Sequence, residues 1–157
     1  IVPDDFVDFV APAFQAVMSG NQALSDTTET KVQYNSEEYD IGSCYDPSSN
    51  YRFTPLTAGK YLVYTTVFID RGANNNSFVL VTAEVKKNGS STDFYGKLDF
   101  RDTAIGRGYT QSLTKVVDMN GSSDYLEVFA YASVTSATDL YIKTSGSVFG
   151  AYKLIGV

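Results

Sequence analysis

The sequence contains no histidine and only one cysteine, Cys44, among its 157 residues. Without histidine the chain lacks the commonest general base and the commonest metal ligand, which excludes His-dependent triads and catalytic zinc. A single cysteine cannot form an intramolecular disulfide, so the chain is not a disulfide scaffold. We expect Cys44 to fill a partly buried gap, because a nucleophilic thiol would need a histidine beside it.

The sequence also has few basic residues and no long hydrophobic run. Its 12 lysines and arginines are outnumbered by 18 aspartates and glutamates, which gives a formal net charge of -6. This balance argues against a phosphate backbone or an anionic membrane as partner, so we expect no binding to nucleic acid. No apolar segment approaches the ~20 residues of a membrane-spanning helix, so no membrane insertion is expected.

Tyrosine, phenylalanine, valine, threonine and serine are abundant, and glycine and asparagine separate the apolar segments, which is typical of an all-β chain. The pair Asn88-Gly89 predicts a hairpin turn, because both residues tolerate positive φ. Many short strands separated by turns indicate a sandwich or jelly roll in one domain, residues 1–157. Strands are predicted at 13–19, 31–35, around Ile41, 51–54, 60–70, 77–87, 91–100, 109–118, 125–134 and 140–157, the last broken at Gly146.

The first twelve residues differ from the rest. Pro3 and the acidic residues after it favour a short helix of a turn or two, or a linker, that ends at Pro12. Because the chain begins at Ile1 without a methionine, we expect it to be a processed product or a piece of a longer chain, such as one with a stalk.

The strand predicted at 60–70 is apolar or β-branched on both of its faces. A strand with one wet face should alternate with polar residues. Both faces of this strand must therefore be covered, and a second subunit can supply one of the covers.

A longer pattern of aromatic residues carries a resemblance. Its members are Tyr34, Asp40, Tyr45, Phe53 and the Gly-x-Tyr formed by Gly59 and Tyr61. This order and spacing resemble the signature of the C1q-like globular domain of the C1q/TNF superfamily. The segments "YDPSSNYRF", "EVKKNG" and "SVFGAYKLI" are similar to that family's Tyr-Asp turn, Asn-Gly hairpin and final strand.

The resemblance implies a ten-stranded jelly roll that assembles as a homotrimer. One face of the 60–70 strand would then pack in the protomer core and the other against neighbouring subunits. We predict that Leu62, Tyr64 and Phe68 face the partners. The alternative is that these residues lie inside the sandwich and that Tyr61, Val63 and Val67 point outward, because a bulge reverses the register.

Two loop regions are candidate ligand sites. "TAIGRGYT" presents Arg107 and Tyr109, residue types that dominate binding hot spots, although an ordinary turn explains the same residues. "GANNNS" carries Asn74, Asn75 and Asn76, which suit carbohydrate hydrogen bonding but also suit a turn.

Acidic clusters and glycosylation acceptors are interpreted as loop features. Solvated loop charge is the expected role of the carboxylates, since neighbours in a loop do not provide the separated pair of glycoside hydrolysis. Calcium binding is open, with no ligand assigned, and no other cofactor is expected. Sugars at the three Asn-x-Ser sites matter only in a eukaryotic secretory route. The acidic clusters are Asp4, Asp5 and Asp8, then Glu37, Glu38 and Asp40, and the acceptors are Asn75, Asn88 and Asn120.

The function expected from this sequence is structural and non-enzymatic. Val63 and Thr65 stand where the animal family has aromatics, so the chain resembles divergent C1q-like domains of bacteriophage fibres and virion decorations. We expect a trimeric head on a virion surface that attaches to a host glycan or protein. A secreted, extracellular recognition protein of C1q/TNF type and a capsid-stabilising decoration protein that binds virion proteins remain alternatives.

Overall fold

A computed structural model describes residues 10–72, 77–101, 106–136 and 139–156. Within these residues every regular element is a β-strand, which confirms the predicted all-β class. None of the described segments contains a helix long and apolar enough to cross a bilayer. The strands are β1 (Ala13–Val17), β2 (Gln22–Ala23), β3 (Thr30–Lys31), β4 (Ser36–Ile41), β5 (Tyr45–Asp46), β6 (Arg52–Phe53), β7 (Gly59–Asp70), β8 (Phe78–Lys87), β9 (Tyr95–Asp99), β10 (Gly108–Met119), β11 (Leu126–Val134), β12 (Tyr141–Ile142) and β13 (Val148–Lys153).

The strands form two sheets in which all pairs are antiparallel. The front sheet has seven strands, and β7 lies at its centre. Strand β10 pairs with the whole length of β7, whereas β13 and β12 pair with successive parts of it. Strand β1 pairs with β13, and β4 pairs with β1. The back sheet has six strands, in the order β5-β6-β11-β8-β9 with β3 also beside β11.

Strand β7 shows why its sequence looked apolar on both faces. One set of side chains is buried between the two sheets, and the other set lies half-buried on the outer face of the front sheet. The structure therefore has the first of the two orientations that the sequence allowed. The core-facing residues are Tyr61, Val63, Thr65, Val67 and Ile69, and the outward residues are Leu62, Tyr64, Thr66 and Phe68.

The aromatic residues of the sequence signature meet in one cluster between the sheets. Phe14 stacks on Tyr45 and on Phe53, with ring centroids 4.5 and 4.9 Å apart. Tyr61 meets Phe53 edge to face at 5.3 Å. Aromatic pairs at these distances contribute beyond the area that they bury. The spacing that carries the resemblance thus encodes the packing of the core.

Tyr34 anchors the segment that passes from the back sheet to the front sheet. Its ring lies 5.7 Å from that of Phe149, and its hydroxyl is 2.9 Å from Thr65 Oγ1 and donates to the Thr66 carbonyl at 3.1 Å. Burial raises the pKa of this hydroxyl. The predicted strand at 31–35 is wrong, since only Thr30–Lys31 pairs as a strand. Val32 still donates its backbone N–H to the Val128 carbonyl at 2.9 Å, and the chain then leaves β11 with Tyr34 in the core.

Other boundaries follow the predicted turns. Asn88 and Gly89 have φ of 54° and 73°, and Lys87 and Ser90 exchange backbone hydrogen bonds of 3.2 and 3.0 Å around them, so the predicted hairpin is confirmed. The predicted break at Gly146 separates β12 from β13. Ten strands were predicted, whereas the described residues hold thirteen strand segments, because two-residue segments are too short to see in sequence. The short helix predicted at the start lies outside the described residues, except for 10–12, which are irregular.

Candidate functional site

The outer face of the front sheet, here called the front face, is mostly uncharged. Its side chains come from the five neighbouring strands β4, β1, β13, β7 and β10, whose register places them on one side of the sheet. An exposed ion pair between Lys60 and Asp118 borders it at one end. The front face comprises Ala13, Gln15, Val17, Tyr39, Ile41, Leu62, Tyr64, Thr66, Phe68, Thr110, Ser112, Thr114, Val116, Val148 and Tyr152.

One row of the front face is apolar from edge to edge. The register aligns Ile41, Ala13, Tyr152, Leu62 and Val116 across the five strands. Of these, Ile41, Tyr152 and Val116 are 43%, 43% and 44% exposed. A contiguous apolar strip at this level of exposure is typical of a protein contact surface.

The neighbouring row is organised around Tyr64. The ring of Tyr64 lies over Gly150 of β13, and its hydroxyl donates to Gln15 Oε1 at 2.5 Å. Gln15 in turn donates from its amide to the Glu38 carboxylate. A Cβ at position 150 would overlap the tyrosine ring and lie 2.9 Å from the Phe14 carbonyl oxygen. Gly150 therefore fixes how the tyrosine lies across the face.

Sequence reasoning missed this arrangement, although it left a signal. Gly150 stands inside a predicted strand, and a glycine there often marks the close approach of another group. The pKa of Tyr64 is raised, first by burial and then by its interaction with the Tyr39 hydroxyl and the charge of Glu38. Tyr64 is therefore a neutral hydrogen-bonding residue at physiological pH.

All three predicted interface residues lie on the front face. Leu62 belongs to the apolar row, Tyr64 to the neighbouring row, and Phe68 pairs with Thr110 farther along the same strand. A Cβ at Gly108 would come 2.6 Å from the Phe68 ring, so this ring also lies close over a glycine of the neighbouring strand. The structure brings the three residues together on one surface, and their contact with partners stays a prediction.

A crevice of about 260 Å³ opens at the β10 edge of the front face. Val85, Phe94 and Leu126 form part of its apolar lining, and Val116 connects it to the apolar row. Lys115 stands at this crevice in an ion pair with the exposed Asp93. The crevice thus extends the apolar surface around the edge of the sheet.

The loop candidates divide into three outcomes. Asn74, Asn75 and Asn76 lie outside the described residues. Arg107 is largely exposed just before the start of β10, and its Nε lies 3.9 Å from Asp70 Oδ1. The backbone beside it is held by a hydrogen bond from Arg71 Nε to the Gly106 carbonyl at 2.7 Å. A ligand role for these loops stays a prediction.

Tyr109 does not lie beside Arg107 on an exposed loop. It belongs to β10, points between the sheets, and meets the Phe100 ring edge to face at 6.3 Å. Its hydroxyl donates to Gln111 Oε1 at 2.6 Å, and burial raises its pKa. Because Tyr109 lies within β10, where side chains alternate between the two faces, its side chain points into the sandwich and not towards a loop ligand.

The predicted acidic cluster has a structural role at Asp40. Its carboxylate accepts hydrogen bonds from the backbone N–H groups of Cys44 and Tyr45 at 2.9 and 3.1 Å and from the Cys44 thiol at 3.1 Å. Cys44 is buried, and burial, followed by the hydrogen bond to Asp40, raises the pKa of its thiol. The Cys44 thiol is therefore protonated at physiological pH. The other predicted acidic cluster, Asp4, Asp5 and Asp8, lies outside the described residues.

Two of the three glycosylation acceptors are engaged in turns. Asn88 donates to Asp124 Oδ1 at 2.9 Å and accepts from the Tyr125 N–H at 2.9 Å. Asn120 Oδ1 accepts from the backbone N–H groups of the turn that follows it, and its amide donates to Ser123 Oγ at 2.9 Å. Across the described residues, no group of three or more acidic or cysteine side chains is placed to hold a metal ion.

Comparison with known proteins identifies the fold. No protein-family model and no curated protein sequence matches the chain. The crystal structure of murine APRIL at pH 5.0 is similar with a TM-score of 0.64 at 17% identity, covering 92% of this chain and 99% of that chain. Murine APRIL structures at pH 8.0 and pH 8.5 are similar with TM-scores of 0.57 and 0.56 at 14% and 16% identity. APRIL is a TNF-superfamily jelly-roll protein, so this chain has the jelly-roll sandwich of the C1q/TNF type that its signature implied.

Proposed function

We propose that the chain is a non-enzymatic homotrimeric head domain that presents binding surfaces to a partner. The observation that supports this most is the apolar row of the front face, which runs from Ile41 at one edge of the sheet to Val116 at the other. A contact between two different edges of identical subunits is heterologous, and such a contact forms a closed ring when its rotation closes. Burial of three such faces around one axis also protects apolar surface that would otherwise cause aggregation.

The chemistry of the described residues favours presentation over catalysis. The Cys44 thiol is buried and protonated, and the pKa values of Tyr34 and Tyr64 are raised. Asp40 and Asp46 use their carboxylates to hold turns through backbone N–H groups. A catalytic acid or nucleophile would instead stand in a cleft with its pKa tuned to the reaction.

The setting that we propose is a virion surface, at the tip of a bacteriophage fibre, where the trimer attaches to a host glycan or protein. The support is the divergence of the signature from the animal family at Val63 and Thr65. Three identical sites on a rigid trimer gain a factor of about 10² to 10⁴ in avidity. Attachment is proposed through Arg107, which is largely exposed beside the start of β10.

A second candidate is a secreted recognition protein, which is favoured by the similarity to murine APRIL over almost the whole chain. The two candidates differ in partner: labelled protein should bind host bacteria in the first case and animal cells in the second. Binding to assembled capsids alone would point to a capsid decoration protein.

The first experiment is native molar mass by light scattering over a dilution series. The expected result is a mass of three chains, near three times 17.1 kDa, that persists on dilution. A stable monomer at all concentrations would overturn the proposal, because the front face would then be a free surface. A dimer would overturn the threefold arrangement in particular.

A further inference from the structure

The outer face of the back sheet, here called the back face, carries a depression of about 270 Å³. The face comprises Leu80, Thr82, Glu84, Lys86, Tyr95, Lys97, Asp99, Glu127, Phe129, Tyr131 and Ser133. The depression lies where β8 and β9 pair and where the chain between them folds back. It is lined by Thr82, Glu84, Ser91, Thr92, Tyr95 and Lys97.

The register of the two strands brings its polar groups together. Glu84 pairs directly with Tyr95, and Thr82 pairs directly with Lys97. Side chains of directly opposed residues on one face stand about 5 Å apart at their Cβ atoms. A carboxylate, an ammonium group, an aromatic ring and a hydroxyl therefore surround one shallow hollow.

The carboxylate of Glu84 is held in place before any ligand arrives. One oxygen accepts the backbone N–H of Thr92 at 2.9 Å, and the other accepts the hydroxyl of Ser91 at 3.3 Å. An ionised carboxylate has about four acceptor positions, so it can accept further hydrogen bonds while these remain. A group that is fixed in advance loses little entropy on binding.

Three other groups have hydrogen-bonding capacity that the described protein does not use. Among the described residues, the structure shows no hydrogen bond to the hydroxyl of Thr82, the hydroxyl of Tyr95 or the ammonium group of Lys97. Tyr95 is 57% exposed, more than the front-face residues Tyr39 and Tyr152. Its ring is thus available as a flat apolar surface beside polar groups.

We propose that this depression binds a neutral hexopyranose unit of a glycan. A pyranose has one face rich in C–H groups, which suits the ring of Tyr95, and hydroxyls that suit Glu84 and Lys97. One carboxylate and one ammonium group make the hollow neutral overall. An anionic ligand would meet the charge of Glu84, and an apolar peptide would leave these polar groups unpaired.

This sugar site depends on the proposed trimer only for the gain in avidity that three linked sites provide. If the front faces pack together in a trimer, the back faces remain outside, and three depressions are presented at once. A single sugar in a shallow site binds weakly, and three linked sites strengthen attachment to a repeating polysaccharide. The binding of a single sugar can be measured whether or not the chain is trimeric.

The test is saturation-transfer NMR on the full chain with the methyl pyranosides of glucose, galactose and mannose, each at about 10 mM, since single-site affinities in the millimolar range are expected. At least one sugar should receive saturation, strongest on one face of its ring. Tyr95→Ala should weaken binding by about tenfold, and Tyr95→Phe should keep most of it, because the ring supplies the main contact.

Tyr141→Ala is the matched control, because Tyr141 is an exposed tyrosine of the front sheet, and it should leave the signal unchanged. The absence of saturation transfer to all three sugars overturns the proposal. A signal that survives Tyr95→Ala but is lost in Arg107→Ala also overturns it and places the sugar at the loop end. A trimer that binds no sugar contradicts this site alone, whereas a monomer that binds sugar through Tyr95 contradicts only the proposed trimer.

Discussion

The two outer faces of the sandwich obey the same strand alternation but carry different chemistry. On the front face the outward positions hold apolar, hydroxyl and amide side chains, with Glu38 entering from the edge. On the back face Lys31 pairs with Glu127 at 2.5 Å, Lys86 pairs with Glu29 at 2.6 Å, and the Lys86 ammonium lies 4.5 Å from the centre of the Phe129 ring. Charged groups with partners of their own are stable in water, whereas apolar rows gain by being covered.

This comparison supports the proposals that the front face contacts other subunits and that the back face binds a polar ligand. One tyrosine from each face shows the difference. Tyr64 lies over Gly150 and donates a hydrogen bond to Gln15 within its own sheet, whereas Tyr95 leaves its ring exposed. The same kind of substitution should therefore have a larger effect on assembly when it is made on the front face than when it is made on the back face.

The largest effect is expected from charge placed on the front face. If the proposed trimer forms, Tyr64→Arg combined with Phe68→Asp should convert it to monomers in light scattering, because a charge buried at an interface without a partner costs about 2–5 kcal/mol. Tyr95→Arg on the back face is the matched control and should leave the mass at three chains. A trimer that survives the double substitution would show that these residues do not contact the partner.

A smaller effect is expected from Gly150→Ala. The added methyl group would overlap Tyr64 and approach the Phe14 carbonyl, so we expect a loss of about 1–3 kcal/mol in the free energy of unfolding by urea denaturation. The same substitution made in a Tyr64→Ala background should cost less, because the ring is no longer there. Equal costs in both backgrounds would mean that the tyrosine does not constrain the glycine.

The contribution of Asp124 to the free energy of unfolding, made beside the Asn88-Gly89 hairpin, should depend on pH in acid. Hydrogen bonds from Asn88 and Lys87 lower the pKa of Asp124 below its usual 3.8. Its stabilisation is therefore present above pH ~3.8 and is lost as the pH falls through the lower folded-state pKa. Asp124→Asn should cost about 1–2 kcal/mol at pH 7, and its difference from the natural protein should shrink towards pH ~2.

Asp118→Asn is the control for this measurement. Asp118 is 76% exposed in its pair with Lys60, so its replacement should change stability little at any pH. A gap between Asp124→Asn and the natural protein that stays constant from neutral to acidic pH would contradict the role assigned to the Asp124 carboxylate.

The smallest effect is expected from the back-face charge network. Lys86→Met keeps an apolar side chain of similar length but removes the ion pair with Glu29 and the cation–π contact with Phe129, and should cost about 0.5–1 kcal/mol in thermal or urea unfolding. The difference should narrow at high salt, which screens the ion pair. A cost that stays the same at high salt would show that the ion pair with Glu29 does not supply the stabilisation.

Local patterns in the sequence predicted much of the fold. The Asn88-Gly89 turn and the break at Gly146 are backbone preferences of single residues, so they could be located without a structure. The jelly roll was implied by the resemblance of the Tyr34, Tyr45 and Phe53 pattern to C1q-like domains, and these aromatics are buried in the core.

Other features depend on partners that are distant in sequence. The strand predicted at 31–35 is short because the chain turns towards the front sheet, where Tyr34 contacts Thr65. The loop reading of Tyr109 failed to anticipate its packing on Phe100, since the direction of a side chain depends on the strand register. The depression around Tyr95 exists only because β8 and β9 pair in one particular register.

The sequence by itself determined the all-β class, the main turns, the acidic charge and the lack of histidine chemistry, because these are properties of single residues and short segments. Tertiary structure decided which face of β7 enters the core, how Tyr64 lies over Gly150, and which polar groups converge on the back face. The physical reason is that strand alternation defines two faces without saying which is buried. That choice is made only when two sheets, whose strands are distant in sequence, pack against each other.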